Sequence, residues 1–124
     1  MSKIKVNALL HNKKDDKFFN SDVTGIKSNN TIKYIDNDVV VVISLDKDNI
    51  SLKRRSDEYY IDMHFKENTL TEGKYNIKAL GFFNIKVFTS KLIIQDNKIE
   101  IEYEIQIEDN SKELFSYKIE MEEL

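Results

Sequence analysis

From Lys98 to Glu108 the chain reads KIEIEYEIQIE, with Ile99, Ile101, Tyr103, Ile105 and Ile107 alternating without a break against Glu100, Glu102, Glu104, Gln106 and Glu108. Successive side chains of a β-strand point to opposite faces, so this run gives one ribbon an apolar side and a charged side. A helix, at about 3.6 residues per turn, would scatter the same isoleucines around its whole circumference. The alternation recurs in Ile4, Val6, Ala8 and Leu10, in Tyr59, Ile61, Met63 and Phe65, and in Phe115, Tyr117, Ile119 and Met121. A chain patterned in this way builds half-buried strands, one face on a core and one in water.

Short clusters of Asn, Asp, Ser, Lys and Gly separate the runs (HNKKDD, KSNN, DND, DKDN, RSDE, KEN, TEGK, QDNK and EDNSK), and most are of hairpin size. Strands are predicted near residues 3–11, 17–27, 31–36, 39–45, 50–55, 58–65, 74–80, 82–94, 98–108 and 112–122. That spacing is the one expected of an all-β sandwich or barrel. The one segment with any helical tendency is the polar loop from Asn68 to Lys74. A closed sheet has no edges to blunt, and a chain without proline lacks one common device for blunting them, which favours the barrel. Gly25 and Gly81, inside TGIK and ALGFFNIK, are placed to allow bulges or sharp bends. With no linker and no internal repeat, residues 1–124 are expected to form one antiparallel domain.

Composition narrows the function. The 124 residues contain no cysteine, which removes thiol chemistry and Cys-based zinc sites, and His11 and His64 are too scattered for a metal centre; no metal or cofactor is expected. No apolar run approaches the roughly 18 to 20 residues of a membrane-spanning helix. The opening MSKIKVNALLHNKK has neither the apolar core nor the cleavage site of a secretion signal, so the expectation is a cytoplasmic protein with no membrane partner. The Ile-, Lys- and Asn-rich, arginine-poor composition points to an AT-rich bacterial genome. Residues 1–95 hold 16 basic and 12 acidic side chains, and residues 96–124 hold 3 and 10. An acidic chain of this kind lacks the phosphate-neutralising surface of a nucleic-acid-binding domain.

The order of VTGIKSNNTIKYID, ISLKRR, YNIKALGFFNIKVFT and IEIEYEIQI resembles the YwiB-like proteins, a bacterial family of unknown function, over roughly Val6 to Met121. Thr24 and Gly25, Tyr34 and Asp36, a strand-closing arginine, Tyr75, Gly81 with Thr89, and Tyr103 carry the resemblance. It departs where the family follows its arginine with a glycine turn, since here Arg54 and Arg55 lead into Ser56, Asp57 and Glu58. The resemblance implies a calycin-like (lipocalin-like) barrel of eight to ten antiparallel strands and no known activity.

Strand parity independently locates candidate site residues. Counting in twos from apolar neighbours, Tyr34, Tyr59, Tyr75, Tyr103 and Tyr117 turn inward with Asp36, Arg54 and Thr89, while Tyr60 turns out. A polar group facing the interior needs a partner or a ligand. The functional expectation is a pocket at one barrel mouth, lined by Tyr34, Tyr75, Thr89 and Tyr103, in which the planar fork of Arg54 meets the anionic end of a small, partly apolar ligand. The competing expectation is that Arg54 pairs with Asp36 as a structural ion pair, or reaches water from its strand end.

Catalysis has little support: His64 is out of step with the apolar face, His11 adjoins a turn, and no P-loop, GxGxxG, GxSxG or HExxH pattern occurs. The unalternating run VVVVISL suggests burial on both faces, and its outward valines, Val40 and Val42 or else Val39 and Val41 with Ile43, would form either a homodimer surface or one covered by another segment. Non-catalytic ligand binding is therefore the primary expectation. A protein-interaction module with a packed barrel is the alternative, and an enzyme comes third. A cavity of about 300 Å³ or more with convergent polar groups separates the first from the second.

Overall fold

The computed structural model describes residues 1–107 and 111–124. Its strands are β1 (Ser2–Asn12), β2 (Lys17–Ser28), β3 (Thr31–Asp36), β4 (Val39–Leu45), β5 (Asn49–Arg55), β6 (Tyr59–Lys66), β7 (Thr69–Ile77), β8 (Gly81–Gln95), β9 (Lys98–Ile107) and β10 (Ser111–Glu123). Each pairs antiparallel with the next, and β1 also pairs with β10, so ten strands close into an up-and-down barrel. Several turns are made by residues that tolerate left-handed backbone: Asp16, Asn29, Asn37 and Asn68 all take φ between 52° and 57°. Among the described residues no helix is long and apolar enough to cross a membrane.

Nine expected strands lie within a residue or two of their places, although the last residue of the ninth, 108, lies outside the described residues. The seventh does not: it was expected at 74–80 with a loop before it, and it runs Thr69–Ile77, followed by a turn at residues 78–80. Its inward positions before Tyr75 are Thr69, Thr71 and Gly73, while Leu70 points to solvent, so the hydrophobic pattern there has the opposite sign to the geometry. Gly25 serves close approach rather than a bulge: a Cβ there would stand 2.8 Å from the Lys33 carbonyl oxygen. Gly81 takes φ +98° as β8 begins, the expected bend, and the register irregularity of the sheet falls at Thr89/Lys91.

Inward residues fill most of the interior. Ile99 on β9 and Ile119 on β10 are paired in register and fully buried, and Phe65, Ile50 and Leu52 continue the packing across β5 and β6. Each such side chain contributes about 1.5–3 kcal/mol of burial free energy. On β4, Val41 and Ile43 face this core while Val40 and Val42 face outward, Val40 between Ile35 and Arg55 and Val42 between Lys33 and Lys53. Among the described residues β4 packs substantially against β3 and β5 alone.

Two ladders are short. The β2–β3 ladder joins only Gly25–Ser28 to Thr31–Tyr34, although β2 stays paired to β1 from Lys17 to Lys27. Toward Lys17 the wall therefore parts, and the seam is spanned by the Ser21 hydroxyl, which donates to Asp36 Oδ2 at 2.6 Å. The β6–β7 ladder is similarly confined to Tyr59–Asp62 with Lys74–Ile77.

Candidate ligand-binding cavity

Where β2 and β3 part, the barrel interior is hollow. A cavity of about 560 Å³ opens at the end that carries the β1–β2 and β3–β4 turns. Its deep part is bounded by buried Ala8, Tyr34, Val41 and Tyr117 together with Arg54. Leu10, Phe19 and Val39 supply apolar wall toward the mouth, with Phe18 beside them, while Asn20, Ser21, Asp36 and Asn37 form a polar stretch of rim along the seam.

Arg54 reaches the interior because its register partners on either side, Val41 and Ile61, are both core residues. Its guanidinium carbon lies 5.6 Å from the centroid of the Tyr117 ring, a cation–π contact. The Tyr34 and Tyr117 hydroxyls share a hydrogen bond, in which one donates and the other keeps its proton for a further acceptor. Burial works against the charge on Arg54; Tyr117, Tyr103, Tyr34 and Tyr59 hold the guanidinium above its ordinary range only when they are themselves ionised in strong alkali, and otherwise offer it neutral oxygens and ring faces. Burial in turn pushes the hydroxyls of Tyr34, Tyr103 and Tyr59 above the usual phenol value, more strongly than the nearby guanidinium pulls them down.

The ion pairs among the described residues are His11–Asp16, Lys13–Glu102, His64–Asp62, Lys66–Asp48 and the Lys91–Glu100–Lys98 cluster. Arg54 is in none of them, and neither is Asp36, which takes the Ser21 hydroxyl instead. The Arg54–Asp36 ion pair considered from sequence is therefore not formed. A cation has been carried into a barrel and given tyrosines in place of a carboxylate, an arrangement that favours an arriving anion.

Of the five residues expected to line a mouth pocket, Tyr34 and Arg54 lie on the cavity. Tyr75, Thr89 and Tyr103 turn toward the interior as parity required, but at other places. Tyr103 is packed between Phe65 and Phe115, at 4.7 and 5.2 Å between ring centroids. Tyr75 meets the edge of Tyr59 at 6.2 Å. Thr89 is fully buried beside Tyr103, its Oγ1 without a hydrogen-bond partner among the described residues. Alternation fixes the face of a strand and is silent on height along the barrel axis, which depends on how neighbouring strands are staggered. The same parity count turned Tyr117, Tyr59 and Asp36 inward, and all three line the cavity. Phe18, Phe19 and Ser21 were missed; Phe19 and Ser21 are in register with inward Leu10 and Ala8 on β1, and Phe18 lies beside them where β2 parts from β3. His11 stacks on Phe18 at 4.0 Å and bonds to Asp16, and His64 stands more than half exposed on the outer face.

These features define a closed, ten-stranded, antiparallel β-barrel protein with a cavity at one end. Residues 5–121 match the family model described as a domain of unknown function, DUF1934, and the chain belongs to that family. Its fold is similar to the crystal structure of the ywiB protein from Bacillus subtilis, with a TM-score of 0.66 and 14% sequence identity over 98% of this chain and 90% of that one. Among curated proteins, none matches the chain.

Proposed function

We propose that this protein is a non-catalytic binding protein, which holds the carboxylate of a small ligand with an apolar body in the open end of its barrel. One observation carries the reading: Arg54 faces a 560 Å³ cavity with no carboxylate paired to it among the described residues. The volume falls within the range of small-molecule sites, which are mostly apolar with a few convergent polar groups. Arg54 supplies a planar fork for a carboxylate, and the free proton of the Tyr34–Tyr117 pair supplies a further donor. Leu10, Phe19 and Val39 offer the ligand body an apolar wall. A single formal positive charge, with Asp36 on the same cavity, suits a monocarboxylate better than a phosphate dianion.

Titration calorimetry with 3-phenylpropionate and 4-methylpentanoate tests the reading. Wild-type protein is expected to bind at least one of them saturably. Arg54→Ala is expected to lose about 10- to 100-fold in affinity, the worth of hydrogen bonds to a charged group. Arg54→Met, which fills the same space, separates loss of charge from loss of packing. Binding that both variants leave unchanged would overturn the proposal.

A further inference from the structure

The cavity carries two opposite charges that do not meet. Arg54 lies in its deep part and Asp36 on its rim, both lining the same space, and neither is ion-paired among the described residues. The strand geometry keeps them apart. Arg54 is in register with Val41, which is in register with Tyr34, whereas Asp36 stands two residues nearer the mouth on β3, a rise of about 7 Å. Asp36 uses Oδ2 to accept the Ser21 hydroxyl, which fixes the carboxylate and leaves Oδ1 for another donor.

A lone carboxylate at the entrance of an anion site repels the ligand that the arginine attracts. The cost disappears if the ligand carries its own cation toward the rim. We infer that the ligand class is a small zwitterion of the amino-acid type: a carboxylate on Arg54 and the Tyr34–Tyr117 pair, an ammonium group on Asp36, and an apolar side chain against Leu10, Phe19 and Val39. This inference rests on the anion-binding reading above and narrows it. Asp36 then acts as the specificity residue, weakening the binding of plain carboxylates by repulsion and strengthening that of amino acids by pairing.

Matched pairs of probes isolate the ammonium group: phenylalanine against 3-phenylpropionate, and leucine against 4-methylpentanoate. With the wild-type protein the amino acid of at least one pair is expected to bind at least about tenfold more tightly than its deaminated partner. In Asp36→Asn the preference is expected to vanish, chiefly because the plain carboxylate binds better once the repulsion is gone. Arg54→Met is expected to lose both members of the pair. If the deaminated acids bind the wild-type protein as tightly as the amino acids, or Asp36→Asn leaves the preference intact, the zwitterion inference fails while the anion reading stands. If neither member of either pair binds, both fail. The Asp36 side chain opens on the rim rather than the core, and a circular-dichroism melt of Asp36→Asn close to wild type confirms that its binding data report the site.

Discussion

Replacing Arg54 by methionine should make the empty protein more stable. The wild-type barrel holds a guanidinium with no carboxylate paired to it among the described residues, and the penalty for carrying an ion out of water is several kcal/mol when nothing offsets it. Arg54 opens on the cavity and keeps some hydration, so a cost of about 3 kcal/mol is reasonable for a partly desolvated, unpaired ion. Against this stands the cation–π contact with Tyr117 at 5.6 Å, worth about 1 kcal/mol. Methionine retains an unbranched apolar stem of similar reach, so little packing is lost. The balance is a gain of about 2 kcal/mol. An unfolding entropy of about 2.1 cal/mol/K per residue over 124 residues converts this to a rise of about 8 °C in melting temperature. Calorimetric melts of the two apo proteins, repeated by urea titration, measure the difference directly. A guanidinium does not titrate in any ordinary buffer, so the gain should be flat between neutral and mildly alkaline pH. If Arg54→Met instead melts several degrees below wild type, Arg54 is a structural anchor, and the unpaired cation loses its meaning as a binding feature.

Tyr34→Phe or Tyr117→Phe alone should cost about 1–2 kcal/mol by leaving one buried hydroxyl without its partner, while the double variant should cost less than the sum of the two; strict additivity in urea melts would show that the hydroxyls do not act as a pair. Gly25→Ala places a Cβ 2.8 Å from the Lys33 carbonyl oxygen and 3.2 Å from Tyr34 Cβ, so the short β2–β3 ladder must spread. About 1–2 kcal/mol of stability is expected to be lost, whereas an unchanged melt would mean the strands stand farther apart. The raised hydroxyls of Tyr34 and Tyr103 favour the protonated, folded chain, so their contribution is fully present below the phenol range of the unfolded chain, near pH 10, and is lost as pH climbs above it. Absorbance titration should therefore show these tyrosines ionising only with alkaline unfolding, and a simple single-step titration of all the tyrosines in the folded protein would refute it.

The legibility of the chain follows from where hydrophobic contrast is strong. Lys98 to Ile107 declares its strand and its buried face together, because every inward position is Ile or Tyr and every outward one is Lys, Glu or Gln. In Thr69–Ile77 the contrast is reversed: small Thr69, Thr71 and Gly73 turn inward where β7 parts from β6, and Leu70 is left outside. The site divides in the same way. Tyr34 and Arg54 are readable because parity alone turns them inward. Tyr75, Thr89 and Tyr103 share that parity and miss the cavity, because their heights are set by the stagger of β7, β8 and β9. Phe19 and Ser21 join it through their pairing with Leu10 and Ala8 of β1, which the unalternating run at residues 18–21 does not announce.

A cylinder laced only partway along one side has a preferred place to yield. Among the described residues, the half of β2 from Lys17 to Thr24 pairs with β1 alone and is tied to the far lip through a single hydroxyl–carboxylate link. Swinging that flap breaks one side-chain bond among the described residues and no backbone rung between β2 and β3, so this side of the hollow opens more readily than the rest of the barrel. Amides from Asn20 to Val23 should accordingly exchange with solvent well before those of β9.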